Sequence, residues 1–387
     1  MHVAINAQLL NTDESYRGAG VSHYSQNLLK YMGQLVENTN TDSPTNVFTS
    51  FINDQQFEAE GINFQVTSTQ LKKPLARIAW EQTILPQQLR RIKADVVHGL
   101  VNILPLSTQL PSVVTVHDLS FIRMPEKFPR LKRTYLTRLC RASTHKATRI
   151  IAVSQQTADD VMQFMDIPHT KIEVVYHGVD THFIPNDVNL VGFRAEKNLP
   201  ERFLLYLGTL EPRKNLSLLV KAFATWRTQL SQDSIHQEVK LVLAGAKGWF
   251  YAEIFELVQA LGLAEFVLFP GYIAAQELPN WYRAAEGFVY PSLFEGFGMP
   301  LLEAMACGTP VLCSDASSVG EVARGYALLF DPYAQDPEAA LVEKLKPFIE
   351  DSTLRQELCV LGLKRASEFS WQQTAEETVR MYEAVYC

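Results

Sequence analysis

Short runs rich in Val, Ile and Leu alternate with longer stretches whose apolar positions recur at helical spacing, and the alternation runs through most of the chain. That is the pattern of βαβ units, in which helices cover both faces of a parallel sheet. In the first half it predicts strands at Val3–Asn6, Val47–Ile52, Phe64–Thr67, Val96–His98, Val113–Val116, Ile150–Val153 and Ile172–Val175. Val21, Tyr24, Leu28, Leu29, Met32 and Leu35 fall on one face, so a helix follows the first loop. The second half restarts the alternation, with strands expected at Phe203–Leu207, Lys240–Ala244, Val267–Phe269, Gly287–Tyr290, Pro310–Cys313 and Ala327–Phe330.

Residues 178–200 are polar and lack a sustained period, which makes them the best linker. The expectation is therefore two doubly wound α/β domains, 1–182 and 183–370, with an amphipathic last helix at 371–387 that packs back on the first. In such sheets ligands bind beyond the carboxyl ends of the strands. Function is to be sought in the loops that follow strands.

Composition narrows the classes. The 387 residues are 47% hydrophobic and 20% charged, an ordinary globular balance. No run approaches a spanning helix, and the opening MHVAINAQLL is strand-like, without a basic region or cleavage site, so the expectation is a cytoplasmic protein. Five cysteines, widely spaced and without a CxxC pair, imply neither a zinc site nor a disulfide framework. The net charge of -7 hides a split: 18 Lys+Arg against 16 Asp+Glu up to residue 182, and 17 against 26 beyond it.

Within this frame YPSLFEGFGMPLLEAMACGTPVLCSD, residues 290–315, is the most informative stretch. It passes from a strand through a glycine-containing loop into a helix, with Pro300 in the first turn and Gly308 at the end. The N–H groups of Leu301 and Leu302 would seat a phosphate. Glu295 in the loop and Glu303 in the helix could then face a sugar hydroxyl and a ribose. Taken alone, Glu295 is better read as a solvated loop acid and Glu303 as a helix-dipole residue. In YLGTLEPRKNLSLLVKAF, residues 206–223, Arg213 and Lys214 lie between a strand and a helix, where a fork-shaped and a point-like cation could clamp a diphosphate. The alternative is a solvated basic pair.

Together these strings resemble the retaining GT-B glycosyltransferases of family 4, whose donor motif is two glutamates separated by seven residues. The resemblance extends to the glycine loop RGAGVSHYSQNL, to VTVHDLSF, to AVSQQTADDV and to the terminal FSWQQTAEETVRMYEAVY. It implies the GT-B architecture, two Rossmann-like domains with an interdomain cleft, and a nucleotide-diphosphate sugar as donor. Arg213, Lys214 and Glu295 would then be catalytic, with His117 facing the donor sugar's primary hydroxyl. Gly18 and Gly20 would let the backbone approach the diphosphate. Tyr272 and Ile273 would hold the nucleobase, and Thr209, Gly245, Phe297, Gly298, Met299, Pro300, Leu301 and Glu303 would complete the donor site. Retention of anomeric configuration is implied without a protein nucleophile, so Glu295 is assigned to orienting donor hydroxyls.

No Asp-x-Asp occurs, so no metal is expected: the cations and the helix N-terminus would stabilise the leaving diphosphate, and no cofactor is needed. Residues 123–149 carry nine Lys/Arg against Glu126 alone, with Leu131, Tyr135 and Leu139 at i+4. This reads as a basic amphipathic helix suited to anionic membrane, or as a solvated face. RNA is disfavoured, because no interleaved aromatic platform or binding module is present. Tyr24, Trp80, Arg130, Lys132 and Arg133 are the candidates for acceptor or membrane contact. The expected activity is metal-independent hexosyl transfer to a glycan or lipid-linked saccharide in polysaccharide synthesis, with UDP-glucose favoured on family base rates and GDP-mannose as the alternative. A GT-B-like epimerase or phosphorylase, and a non-catalytic nucleotide-sugar-binding regulator, are the rival readings.

Overall fold

The computed structural model describes residues 1–12, 19–37, 46–68, 71, 73–186, 189–248 and 251–387. The chain divides into one unit of residues 1–178 with 370–387 and another of 179–369. The boundary thus falls after Gly178, earlier than the expected 182, and the last helix, Trp371–Tyr386, belongs to the first unit.

In the first unit β1 (His2–Asn6), β2 (Val47–Ile52), β3 (Ile62–Val66), β4 (Val96–Gly99), β5 (Ser112–Val116), β6 (Arg149–Ala152) and β7 (Ile172–Val174) form one sheet in the order β3-β2-β1-β4-β5-β6-β7. In the second, β8 (Phe203–Leu207), β9 (Lys240–Ala244), β10 (Val267–Gly271), β11 (Gly287–Tyr290), β12 (Val311–Ser314) and β13 (Leu328–Phe330) run in the order β10-β9-β8-β11-β12-β13. The strand pairs are parallel. Helices cover both faces, which is why β4, β5, β11 and β12 are buried at every position and are largely apolar, with His98 and Thr115 among the polar side chains that find partners inside.

The strand order reverses between β1 and β4 in one sheet and between β8 and β11 in the other. β8 and β11 are in register at Leu204 with Gly287 and Leu205 with Phe288. Their carboxyl ends therefore emerge side by side, and the two loops that leave them are neighbours in space although some eighty residues apart in sequence. This switch point is where open α/β sheets bind ligands.

One expectation is corrected here. The polar 178–200 stretch contains a helix, Leu190–Glu196, capped by Asn189, whose Oδ1 accepts the Gly192 N–H at 2.9 Å. Arg194 ties it down by donating to the Ala284 carbonyl at 2.9 Å. Two turns are too short to show a period, so the cap was the available signal. The basic helix forms as expected, over Arg130–Lys146, and turns another stripe to the core. Leu136 and Cys140 pack on the core, Ser143 and Thr144 are buried after them, and Leu131 stands 81% exposed. Several cations of the 123–149 segment are structural: Arg123 holds buried Asp160, Lys146 donates to the Thr108 carbonyl and Arg149 to that of Thr170.

Candidate active site

Glu295 is the centre of the second unit's polar chemistry. Its Oε2 accepts from Arg213 Nη1 at 2.7 Å, and its Oε1 accepts from Lys214 Nζ at 2.5 Å and from the Tyr290 hydroxyl at 3.0 Å. Lys214 Nζ also donates to Tyr290 Oη at 3.1 Å. A short 3-10 turn, Pro212–Lys214, turns both cations towards the β11 loop, and Asn215 ends that turn with φ of 58°. Arg213 donates to the Phe294 carbonyl at 3.1 Å, and the Leu293 N–H donates to the Arg213 carbonyl at 2.9 Å, so backbone as well as charge joins the two loops. The Glu295 N–H donates to Ser317 Oγ, and Ser318 Oγ donates to the Glu295 carbonyl at 2.9 Å. Glu295 has no freedom to swing.

Burial opposes ionisation of Glu295, but the charges of Arg213 and Lys214 prevail and hold its carboxyl down at about 2. Burial and the neighbouring guanidinium lower Lys214. Arg213 also pairs with Glu211. Two cations thus face two carboxylates, and the site at rest is a neutral network rather than the isolated cationic pocket that sequence suggested. Glu295 likewise spends both oxygens on protein donors, where the sequence reading had it face a sugar hydroxyl.

Glu303 lies in the Met299–Ala306 helix, which Gly298 caps with φ of 98°. Its Oε2 accepts from the Tyr282 hydroxyl at 2.8 Å. Burial raises the Glu303 carboxyl to about 7 against the pull of that hydrogen bond. Of the two N–H groups expected to be open at this helix start, that of Leu301 donates to the Gly298 carbonyl at 3.0 Å and is taken. Leu301 and Phe297 are buried, while Met299 and Pro300 keep part of their surface.

Gly245, at the end of β9, adopts φ of 141°, and a Cβ there would come within 1.9 Å of the Gly208 carbonyl oxygen. Only glycine lets the β8 and β9 ends approach so closely beside half-buried Thr209. Tyr272 is 45% exposed and Ile273 buried, on the loop between β10 and the Leu278–Ala284 helix that carries Tyr282. Sequence reasoning passed over Tyr290 and Glu211, each inside a quoted string, and Tyr282, nine residues after Ile273. The signal was their spacing from the singled-out residues along adjacent strands and helices.

In the first unit His117 follows β5. Its Nε2 lies 2.8 Å from the Leu100 carbonyl oxygen, and a carbonyl only accepts, so the proton is on Nε2 and Nδ1 is an acceptor. The His117 N–H donates to Asn102 Oδ1 at 3.1 Å. Burial lowers its pKa, so the ring is neutral. Asp118 accepts from Ser120 N–H and Oγ at 2.9 and 2.7 Å and shapes the turn after it.

Tyr24 is buried, and its hydroxyl bonds Thr115 Oγ1 at 3.1 Å, so it presents no face to an acceptor or a membrane. Trp80 is half-buried against the Phe51 ring, 5.9 Å between centroids, and serves the core. Arg130 and Lys132 are exposed and Arg133 half-buried. Gly20 is exposed, and Gly18 lies outside the described residues. Among the described helices none is long and apolar enough to cross a membrane.

Comparison with known proteins places the chain in a family. The family described as Glycosyl transferases group 1 matches residues 192–359, and that described as Glycosyltransferase Family 4 matches residues 44–183. O-antigen chain mannosyltransferase B of Escherichia coli is 31% identical over 296 residues, 76% of this chain and 75% of the relative. The serotype-specific mannosyltransferase WbdA of Escherichia coli is 30% identical over 68% of this chain, which spans only 32% of WbdA. Sucrose-phosphate synthase from Thermosynechococcus elongatus superposes with a TM-score of 0.78 at 19% identity, covering 100% of this chain and 99% of that one. WaaG, a glycosyltransferase involved in lipopolysaccharide biosynthesis, gives 0.74 at 16%, covering 98% and 99%. At such identities the structures speak to the fold, which is GT-B. With both units matched and a relative aligned along three quarters of its length, the chain belongs to the family 4, group 1 glycosyltransferases.

Proposed function

We propose that the protein transfers a mannosyl group from GDP-mannose, with retention and without a metal, to a glycan or lipid-linked saccharide in polysaccharide assembly. The carrying observation is the clamp of Arg213, Lys214 and Tyr290 on Glu295. It fixes two cations at the switch point before any ligand arrives. Cleavage of the sugar–phosphate bond places growing negative charge on the diphosphate, and donors already oriented towards it stabilise that charge without reorganising. His117 Nδ1 would accept a donor-sugar hydroxyl, and Glu303 the ribose hydroxyls. Mannose is preferred over the glucose first expected because relatives that align along 76% and 68% of this chain are named mannosyltransferases.

A thermal-shift series with GDP-mannose and UDP-glucose in excess EDTA tests this, followed by assay of transfer in the same buffer. A donor at a hundred times its Kd stabilises the native state by about 2.7 kcal/mol. The expected result is a shift with GDP-mannose and product formed in EDTA with the donor's anomeric configuration. A shift with UDP-glucose alone would return the donor to glucose. Binding without turnover would make the protein a regulator, and loss of transfer in EDTA would reinstate a metal.

The acceptor reading rests on the exposed face of the Arg130–Lys146 helix, where Leu131 stands between Arg130 and Lys132. Each Lys or Arg near an anionic leaflet is worth about 1 kcal/mol. The protein is therefore expected to float with anionic liposomes at low salt, and Arg130→Glu with Lys132→Glu to weaken this. Absence of salt-sensitive binding in the native protein would remove the membrane from the proposal.

A further inference from the structure

The Trp371–Tyr386 helix buries one stripe, Trp371, Thr374, Ala375, Thr378, Met381, Tyr382 and Val385, at spacings of three and four. Ser370 caps it, and Thr374 Oγ1 donates to the Tyr176 carbonyl at 2.8 Å, beside His177. Gly178 allows the approach, since a Cβ there would lie 2.1 Å from the Trp371 nitrogen. Two routes then lead from this helix to His117.

One is aromatic. The Trp371 indole stacks on the His177 ring, 5.6 Å apart and 24° from parallel. His177 lies 4.8 Å from Tyr24 and 5.7 Å from His117, and Tyr24 meets His117 edge-on at 4.7 Å. The other is a hydrogen-bond chain. Tyr382 Oη is 2.7 Å from His98 Nδ1, His98 Nε2 is 2.8 Å from Thr115 Oγ1, and that oxygen is 3.1 Å from Tyr24 Oη.

The proton order in this chain is fixed by counting. Burial keeps His98 neutral, its pKa down at about 3, so it has one N–H and one lone pair. If Tyr24 donates to Thr115, Thr115 to His98 Nε2, and His98 Nδ1–H to Tyr382, the Tyr382 hydroxyl is left to donate to Met32 Sδ at 3.9 Å. Every donor then has an acceptor. In the opposite order the Tyr24 proton has no acceptor among the described residues of the chain. The chain is therefore directional, and it starts from Tyr24, whose ring meets that of His117 in a T-shaped contact.

We propose that the C-terminal helix is a positioning element of the transfer site: Tyr382, through His98, Thr115 and Tyr24, and Trp371, through His177, set the orientation of the His117 imidazole. This rests on the reading above that His117 Nδ1 takes a substrate hydroxyl. Neither Tyr382 nor Trp371 is a catalytic residue here, since each acts through a partner. A small rotation of an oriented group costs transfer far more than it costs folding.

The test is a mutant cycle in the full-length protein. Tyr382→Phe removes one oxygen and no volume, Trp371→Phe keeps an aromatic ring but reduces the stacked area, and Gln372→Ala, exposed on the same helix, is the control. Tyr382→Phe and Trp371→Phe are each expected to lower kcat about tenfold with a small change in Tm, and to move the His117 ring-proton resonances. Gln372→Ala should do neither. In a His117→Ala background Tyr382→Phe should cost less than twofold more. Losses that multiply in the double mutant, or unmoved His117 resonances, overturn the positioning role while leaving His117 in place. His117→Ala with full activity instead overturns the reading of His117 beneath it.

Discussion

Glu295→Gln should lower the rate of donor cleavage by about a thousandfold, at the upper end of what removal of one preorganised electrostatic group costs. The substitution keeps shape and removes charge. Arg213 can fall back on Glu211, but Lys214, with a side chain 7% exposed, has Glu295 as its ion-pair partner. Burial already lowers the Lys214 ammonium. Without the carboxylate, the largest influence that favours its charged form is gone, so the site's cationic character weakens together with the loss of the anion.

Removing one member of a buried pair costs about 3–5 kcal/mol, and the partial exposure of Arg213 puts the expectation at the lower end. The pH behaviour has a definite sign. The folded-state value of Glu295, about 2, lies below its ordinary 4.5. Its stabilisation is therefore full above the ordinary value and is lost as pH falls towards 2. Glu295→Gln should flatten that acid limb. Single-turnover donor consumption and urea unfolding measure the two effects, and a variant that cleaves donor at the native rate would remove Glu295 from the site.

Donor affinity should rise with pH through about 7 and depend on Glu303. Its carboxyl is pushed up to about 7 by burial, so near neutrality it is half protonated in the empty site. A hydrogen bond to a charged group is worth about 1.5–3 kcal/mol against 0.5–1.5 for a neutral one. Ribose hydroxyls therefore bind the carboxylate more strongly by about tenfold in Kd, and donor binding should draw the carboxyl's pKa downwards. In the empty protein the raised value has the opposite consequence. The unfolded chain ionises first, so stability falls as pH climbs from about 4.5 to 7. Glu303→Gln keeps an acceptor for Tyr282 and cannot ionise. Calorimetric titration of donor from pH 5.5 to 8.5 should show the slope in the native protein and none in the variant, and a slope that survives would assign the titration elsewhere.

Much of the architecture was legible because periodicity is a local property. Lys240–Ala244 and Gly287–Tyr290 declare buried parallel strands by composition, and their predicted bounds coincide with β9 and β11. The Leu190–Glu196 helix escaped notice because seven residues hold too little period. The core-facing stripe of Arg130–Lys146 went unremarked for another reason. Leu131, Tyr135 and Leu139 have helical spacing as good as that of Leu136 and Cys140, and only the neighbouring helices and sheet decide which face is covered.

The site divides along the same line. The sequence by itself determined the two alternations, the reversal into loops at Arg213 and Glu295, and the kind of chemistry those residue types perform. The tertiary structure alone decided their pairing. Glu295 meets Arg213 across 82 residues, and His98 meets Tyr382 across 284. Hydrogen bonds and Coulomb forces act through space, so a carboxylate's charge state is set by whatever the fold places within a few ångströms of it. Two glutamates of one short string consequently part company, one held at about 2 and the other raised to about 7.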